Sequence, residues 1–207
     1  MKKRLTEEEL KLVYKVEASP IFWRQKAEQL KHSAEVLWPD VRRRMDIINR
    51  QFKLKGDVDF DSISPDIFPI CKALMGYSLE CLFKAAIIRN NPGLVANGKL
   101  SKLLKSHDLI KLAEIGKITL TQNEKIFCES ATEMMVIDSR YPVGLEVKPH
   151  KGIIRVGGHF KKVFTGLYKK IHPTVGQFHT ATGKVIDCKP AIREKVRPKT
   201  RRIKRRK

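Results

Sequence analysis

Acidic residues are scarce in this chain. Its 207 residues hold 22 Asp and Glu against 43 Lys and Arg, a net charge of +21. A positive surface of that size attracts polyanions, with binding that weakens as salt rises. Aromatic residues are also few, at 7%. Hardly any interleave with the C-terminal basic run, which argues against base stacking there. No apolar run reaches the roughly 18 residues that a membrane span requires. The opening "MKKRLTEEELKL" becomes charged at once and has no apolar core, so no signal peptide is expected. Cys71, Cys81, Cys128 and Cys188 lie far apart without a C-x-x-C pair. Three of them sit in apolar periodic segments, where a thiol behaves as a small hydrophobe. A reducing, cytoplasmic setting is the expectation.

Catalytic and metal signatures are largely missing as well. The six histidines form no H-x3-H or H-E-x-x-H pattern and no paired Cys-His set, so neither a metal site nor a cofactor is expected. "TATGKV" resembles part of a phosphate-binding loop. However, six residues separate Gly176 from Gly183, and Val185 stands where a magnesium-holding hydroxyl is required. No G-x-S-x-G nucleophile elbow occurs. Asp57, Asp59 and Asp61 alternate in a connector and are read as solvated loop acids.

What the chain does have is basic charge at both scales. Residues 189 to 207 carry eleven Lys and Arg against the single acid Glu194. The other 188 residues still hold 32 basic and 21 acidic side chains, an excess of 11. The body is therefore basic in its own right. Within the tail, Lys199, Arg201, Arg202, Lys204, Arg205 and Arg206 are the expected nucleic-acid-binding residues.

Helical periodicity dominates. Thr6 to Glu9 has the form of a capping box and opens a helix to about Val16. Ser19-Pro20 starts a second, with Phe22, Ala27, Leu30, Ala34 and Leu37 at helical spacing. Pro39 kinks or restarts it, and it continues through "DVRRRMDIINRQF". After an acidic connector over 53–64, Ser64-Pro65 is the expected start of the next helix. On its wheel, apolar residues cover most of the circumference, as in the central helix of a bundle. Pro69, Ala73, Gly76, Glu80 and Lys84 fall on one narrow stripe, read as the face left for solvent or a dimer mate, or as a close-packing seam. Glu80 and Lys84 then form an ordinary i,i+4 pair.

Asn90-Asn91-Pro92-Gly93 ends that helix with strong turn chemistry. Ser106 is the expected cap of "HDLIKLAEI", and Gly116 its closing residue. Thr121 to Glu124 is a second capping box, opening a helix through Ile137. Residues 143–158 read as a long loop. Phe160, Val163, Phe164, Leu167, Tyr168 and Ile171 then trace an amphipathic stripe ending at His172-Pro173. No strand pattern competes before residue 143. The fold class is all-α, an antiparallel helical bundle with a basic tail expected to be disordered when free. The expected parts are an N-terminal helix over 1–19, the bundle over 20–172 and a basic extension over 173–207.

The order "YSLECLFKAAIIR", "HDLIKLAEIG" and a capped helix running into "SRYP" resembles the HEPN domain family over roughly residues 20–172. The resemblance implies a compact, often dimeric bundle. It also implies RNA cleavage, RNA or nucleotide binding, or partnership with a nucleotidyltransferase in toxin–antitoxin or defence modules. In this view Glu80, Lys84, His107, Arg140 and Tyr141 line a groove or interface. Beside that role, His107 can simply support a helix cap, and Arg140 can complement a helix C-terminus.

Catalytic members of the family carry Arg, four to six residues, then His, and cleave RNA without metal. There a histidine moves the 2′-hydroxyl proton while an arginine steadies the phosphate. Here Arg24 and His32 enclose seven residues, Arg140 and His150 nine, and Arg155 and His159 three. Arg155 and His159 are the only candidate catalytic pair, and it is one residue short. The expected function is a non-catalytic RNA or nucleic-acid-binding module. The alternatives are a metal-independent endoribonuclease, or an interaction subunit for a nucleotidyltransferase or an acidic protein.

Overall fold

A computed structural model describes residues 5–60, 63, 66–135, 158–179 and 185–187. The described residues are mostly helical, and they fall into two units divided after Gly176. The first unit contains six helices: α1 (Glu7–Glu17), α2 (Pro20–Lys55), α3 (Phe68–Asn90), α4 (Leu109–Ile115), α5 (Gln122–Glu133) and α6 (Gly158–Gly176). A two-stranded hairpin, β1 (Val95–Ala96) and β2 (Lys99–Leu100), follows α3. In the second unit β3 (Gln177–His179) pairs antiparallel with β4 (Val185–Asp187). Among the described residues no helix is long and apolar enough to cross a membrane.

The capping chemistry explains most helix starts. Thr6 and Glu9 exchange backbone hydrogen bonds at the head of α1, and Thr121 and Glu124 do the same for α5. Pro20 occupies the first position of α2, where its missing N–H costs nothing. Pro39 does not end that helix. The helix runs through it for 36 residues, about 54 Å at 1.5 Å per residue. Gly56, at φ 72°, supplies the left-handed closing residue.

Several starts and stops differ from the expectation. α3 begins at Phe68 rather than at Ser64-Pro65, where Asp66 Oδ1 accepts the Phe68 N–H at 3.0 Å and Pro69 fills the first turn. α4 is capped by Asp108, whose Oδ1 accepts from Lys111 N at 3.1 Å; Ser106 instead accepts from Asp108 N. Gly116 closes α4 in right-handed geometry, and Lys117 takes the positive φ of 54°. Space is tight at 116, where a Cβ would stand 3.2 Å from Ile118 Cδ1 and from Leu112 O and 3.3 Å from Ile87 Cγ1. α6 continues past His172-Pro173 to Gly176.

The hairpin is a strand pair that the helical reading passed over. Asn97 and Gly98 both have positive φ, 52° and 69°, and bring Ala96 opposite Lys99. A two-residue Asn-Gly loop suits that mirror-image turn.

Helix α3 is the centre of the bundle, with sixteen of its 23 residues buried. It packs against α2, α4, α5 and α6. Gly76 is the close-approach point. A Cβ built there would lie 2.8 Å from Met135 Sδ and 3.3 Å from the Ala131 Cβ of α5. The Ala73–Gly76 part of the stripe is thus a packing seam, while the solvent contact of α3 falls elsewhere, with Ile70 half exposed. α6 docks through aromatic rings. Phe160 lies 4.3 Å from Phe127 and 5.8 Å edge-on from Phe68, and Phe164 lies 6.2 Å from Phe127. Such pairs add about 0.5–1.5 kcal/mol each beyond area burial.

Candidate functional site

Three of the residues singled out from the sequence converge. Glu80 Oε1 accepts from Lys84 Nζ at 2.6 Å, and Glu80 Oε2 lies 2.9 Å from His107 Nδ1, 27 positions away in the chain. Both α3 residues are buried, Glu80 at 5% and Lys84 at 4% exposure. The solvent-exposed pair read from the helix wheel is therefore corrected. The bundle closes over this end of the stripe. Trp23 of α2 covers the ammonium, its ring centroid 5.4 Å from Nζ. A cation over an indole face is attracted by the ring quadrupole, which offsets part of its desolvation.

His107 sits just before α4, and its neighbours hold it there. Leu109 N donates to Thr132 Oγ1 at 3.2 Å, tying the start of α4 to α5. Tyr77 meets the imidazole edge-on at 6.5 Å and donates its own hydroxyl to Met135 O at 2.9 Å. A carboxylate accepting from Nδ1–H fixes the imidazole tautomer and leaves Nε2 as the acceptor. The His107 side chain is 53% exposed, so Nε2 can meet water or a ligand. The arrangement can orient a histidine and present its Nε2 as a hydrogen-bond acceptor. Among the described residues it includes no arginine in contact with His107.

His159 stands in the first turn of α6, exposed. Its proposed partner Arg155 lies outside the described residues, as do Arg140 and Tyr141. The tail residues Lys199, Arg201, Arg202, Lys204, Arg205 and Arg206, together with Cys188 and the 143–157 loop, lie outside them too. Cys71, Cys81 and Cys128 are free and buried, as their periodicity implied. Burial pushes their thiols up, to about 11 for Cys71 and about 12 for Cys81 and Cys128. None is a thiolate nucleophile at neutral pH. Among the described residues no cluster of His, Cys, Asp or Glu could hold a metal ion.

A further concavity lies between α2 and α6. It is an open groove of about 770 Å³. Trp38, Val41 and Met45 form its floor, and Arg42, Lys161, Lys162 and Lys169 supply its charge. Asp46 is its one acid, which leaves an excess of three positive charges. Trp38 is only 6% exposed, and Lys161 Nζ lies 5.5 Å from its ring centroid. Among the described residues neither Arg42 nor the three lysines forms an ion pair. A smaller cleft of about 470 Å³ by Arg89, Lys117 and Lys170 differs in this respect. There Lys170 is engaged by Glu124 at 2.9 Å and by Thr119 O at 2.6 Å.

Reading the sequence located the Glu80–Lys84–His107 group but not the groove. The signal for the groove was present in the charge pattern. From Arg42 to Lys55 the chain has six basic residues and one acid, and α6 has four lysines and no acid. What a linear reading lacks is the packing that sets these two segments side by side. Comparison with known protein families, with curated proteins and with solved structures finds no match to this chain.

Proposed function

We infer that this chain is a HEPN-like module that binds RNA, or another nucleic acid, without cleaving it. One observation carries this reading. The positive charge is not confined to the C-terminal tail but is displayed on the folded helices. Arg42, Arg43, Arg50, Lys53 and Lys55 are exposed on α2, and Lys162, Lys169 and Lys170 on α6. Fixed cations on a rigid surface neutralise phosphates and release counterions, which supplies most non-specific affinity.

The family reading implies a compact, often dimeric bundle with a place in a toxin–antitoxin or defence module, and the dispersed cysteines suit a reducing, cytoplasmic setting. Support for it comes from the contact of His107 with Glu80, residues of two motifs that lie 27 positions apart in the chain. A binding role is favoured over nuclease chemistry because Arg155 and His159 fall one residue short of the family's catalytic spacing. Charge stabilisation at a cleaving phosphate needs a fixed cation next to the general base.

The test is incubation of the purified chain with end-labelled RNA in EDTA, reading retention and integrity together. Retention of intact RNA that weakens with salt is the expected result. Cleavage that disappears in His159→Ala would establish the endoribonuclease instead. Binding to an acidic protein, with no salt-dependent retention of RNA, would favour an interaction subunit.

A further inference from the structure

We propose that the groove between α2 and α6 is a phosphate-backbone cleft, which seats a strand of nucleic acid by its phosphates and does not read its bases. This rests on the nucleic-acid reading above and gives it a location separate from the tail.

Two rows of donors face the groove. On α6, Lys161, Lys162, Thr165 and Lys169 lie along one side. From Lys161 to Lys169 is eight residues, about 12 Å of helix. That matches the axial length of about three or four nucleotides at 3.4 Å each. On α2, Arg42 and Asn49 face it from the other side. Arginine, lysine, an amide and a hydroxyl are the side chains that contact phosphate oxygens. Among the described residues none of these four cations is held in an ion pair, and Lys161 lies over the Trp38 ring.

The floor decides what is read. Sequence-tolerant stacking of bases on a ring requires an open aromatic face. Trp38, the groove's one aromatic ring, is buried and lies against Lys161. Its face is closed to a stacked base, so the contacts that dominate are those of the four cations with the phosphate backbone. An open position at the rim allows a clean steric test. Gly166 lines the groove, and a Cβ built there would meet nothing within 4 Å.

The experiment is fluorescence anisotropy of the full chain with labelled single-stranded RNA across a salt series, using oligo-U, oligo-C and a mixed sequence. Lys162→Gln with Lys169→Gln removes two exposed groove charges; Lys111→Gln with Lys125→Gln removes two exposed charges elsewhere. The groove variant is expected to weaken binding roughly tenfold at 0.1 M salt and to flatten the salt slope by about 1.4, while the control stays within about twofold of the parent. Gly166→Phe fills the groove with the charge unchanged and is expected to weaken binding as well, with an unchanged or higher melting temperature. The three RNAs are expected to bind alike.

If the parent binds RNA and both double variants lose affinity equally, or Gly166→Phe binds like the parent, the groove is not the site and the RNA-binding function stands. A preference of the parent for one base would overturn the backbone-only assignment. If the parent binds poly-glutamate through the groove but no RNA, the cleft serves an acidic polypeptide and both proposals fail.

Discussion

Glu80 Oε2 lies 2.9 Å from His107 Nδ1 while its other oxygen holds Lys84 Nζ at 2.6 Å, so one buried carboxylate serves both an imidazole and an ammonium. Breaking a buried pair from one side leaves the other charge uncompensated. Glu80→Ala is expected to lower stability by about 3–5 kcal/mol in urea unfolding. Replacing both residues, Glu80→Leu with Lys84→Met, is expected to recover most of that deficit, because no orphaned charge remains. His107→Ala should cost far less, since its ring is half exposed. A double variant as unstable as Glu80→Ala alone would contradict this account.

Two glycines of the bundle should respond in opposite directions. A methyl at Gly76 would press on Met135, 2.8 Å from its sulfur. Gly76→Ala is expected to cost about 1–3 kcal/mol through overpacking. At Gly166 the space is open, and alanine is the better helix former. Gly166→Ala is expected to gain about 0.5–1 kcal/mol. Thermal melts of the two variants separate these outcomes.

The contrast shows what the sequence makes legible. Helix identity along α1, α2, α3, α5 and α6 follows from capping residues and apolar spacing, which are local. The same holds for the thiols at Cys71, Cys81 and Cys128. The burial of Glu80 and Lys84 was not legible, because it depends on Trp23 and the His107 loop arriving from other parts of the chain. The hairpin at Asn97-Gly98 had a local signal, but its strands are two residues each and carry almost no periodicity. The groove required knowing that α2 and α6 are neighbours, a tertiary fact with no local mark.

Glu124 links stability to pH. Burial alone would raise its carboxyl, but the Thr121 N–H and the Lys170 ammonium outweigh that and hold it below the usual 4.5. A lowered folded value means its contribution is fully present above the ordinary value and is lost as pH falls through the depressed one. Glu124→Ala is expected to cost about 1 kcal/mol at pH 7, with the deficit closing as pH drops below about 4. Parallel denaturation at several pH values checks this. A deficit unchanged at low pH would assign the effect to packing instead.

Removing residues 189–207 takes away eleven basic side chains and one acid. The truncated chain is expected to bind RNA more weakly and with a shallower salt slope. The slope should fall by about 0.7 for each phosphate of a single strand that the tail no longer neutralises. Binding should persist, because the folded helices keep their own cations. An unchanged slope would remove the tail from the interface, and complete loss of binding would leave the body without a role.

The central claim is that this chain engages nucleic acid and leaves it intact. Its most direct measurement is binding and integrity of labelled RNA with the full chain, in EDTA, across a salt series. The account predicts intact RNA throughout, and affinity whose logarithm falls linearly with the logarithm of salt concentration. RNA shortened in EDTA by the parent but not by His159→Ala, or no binding even at low salt, would contradict it.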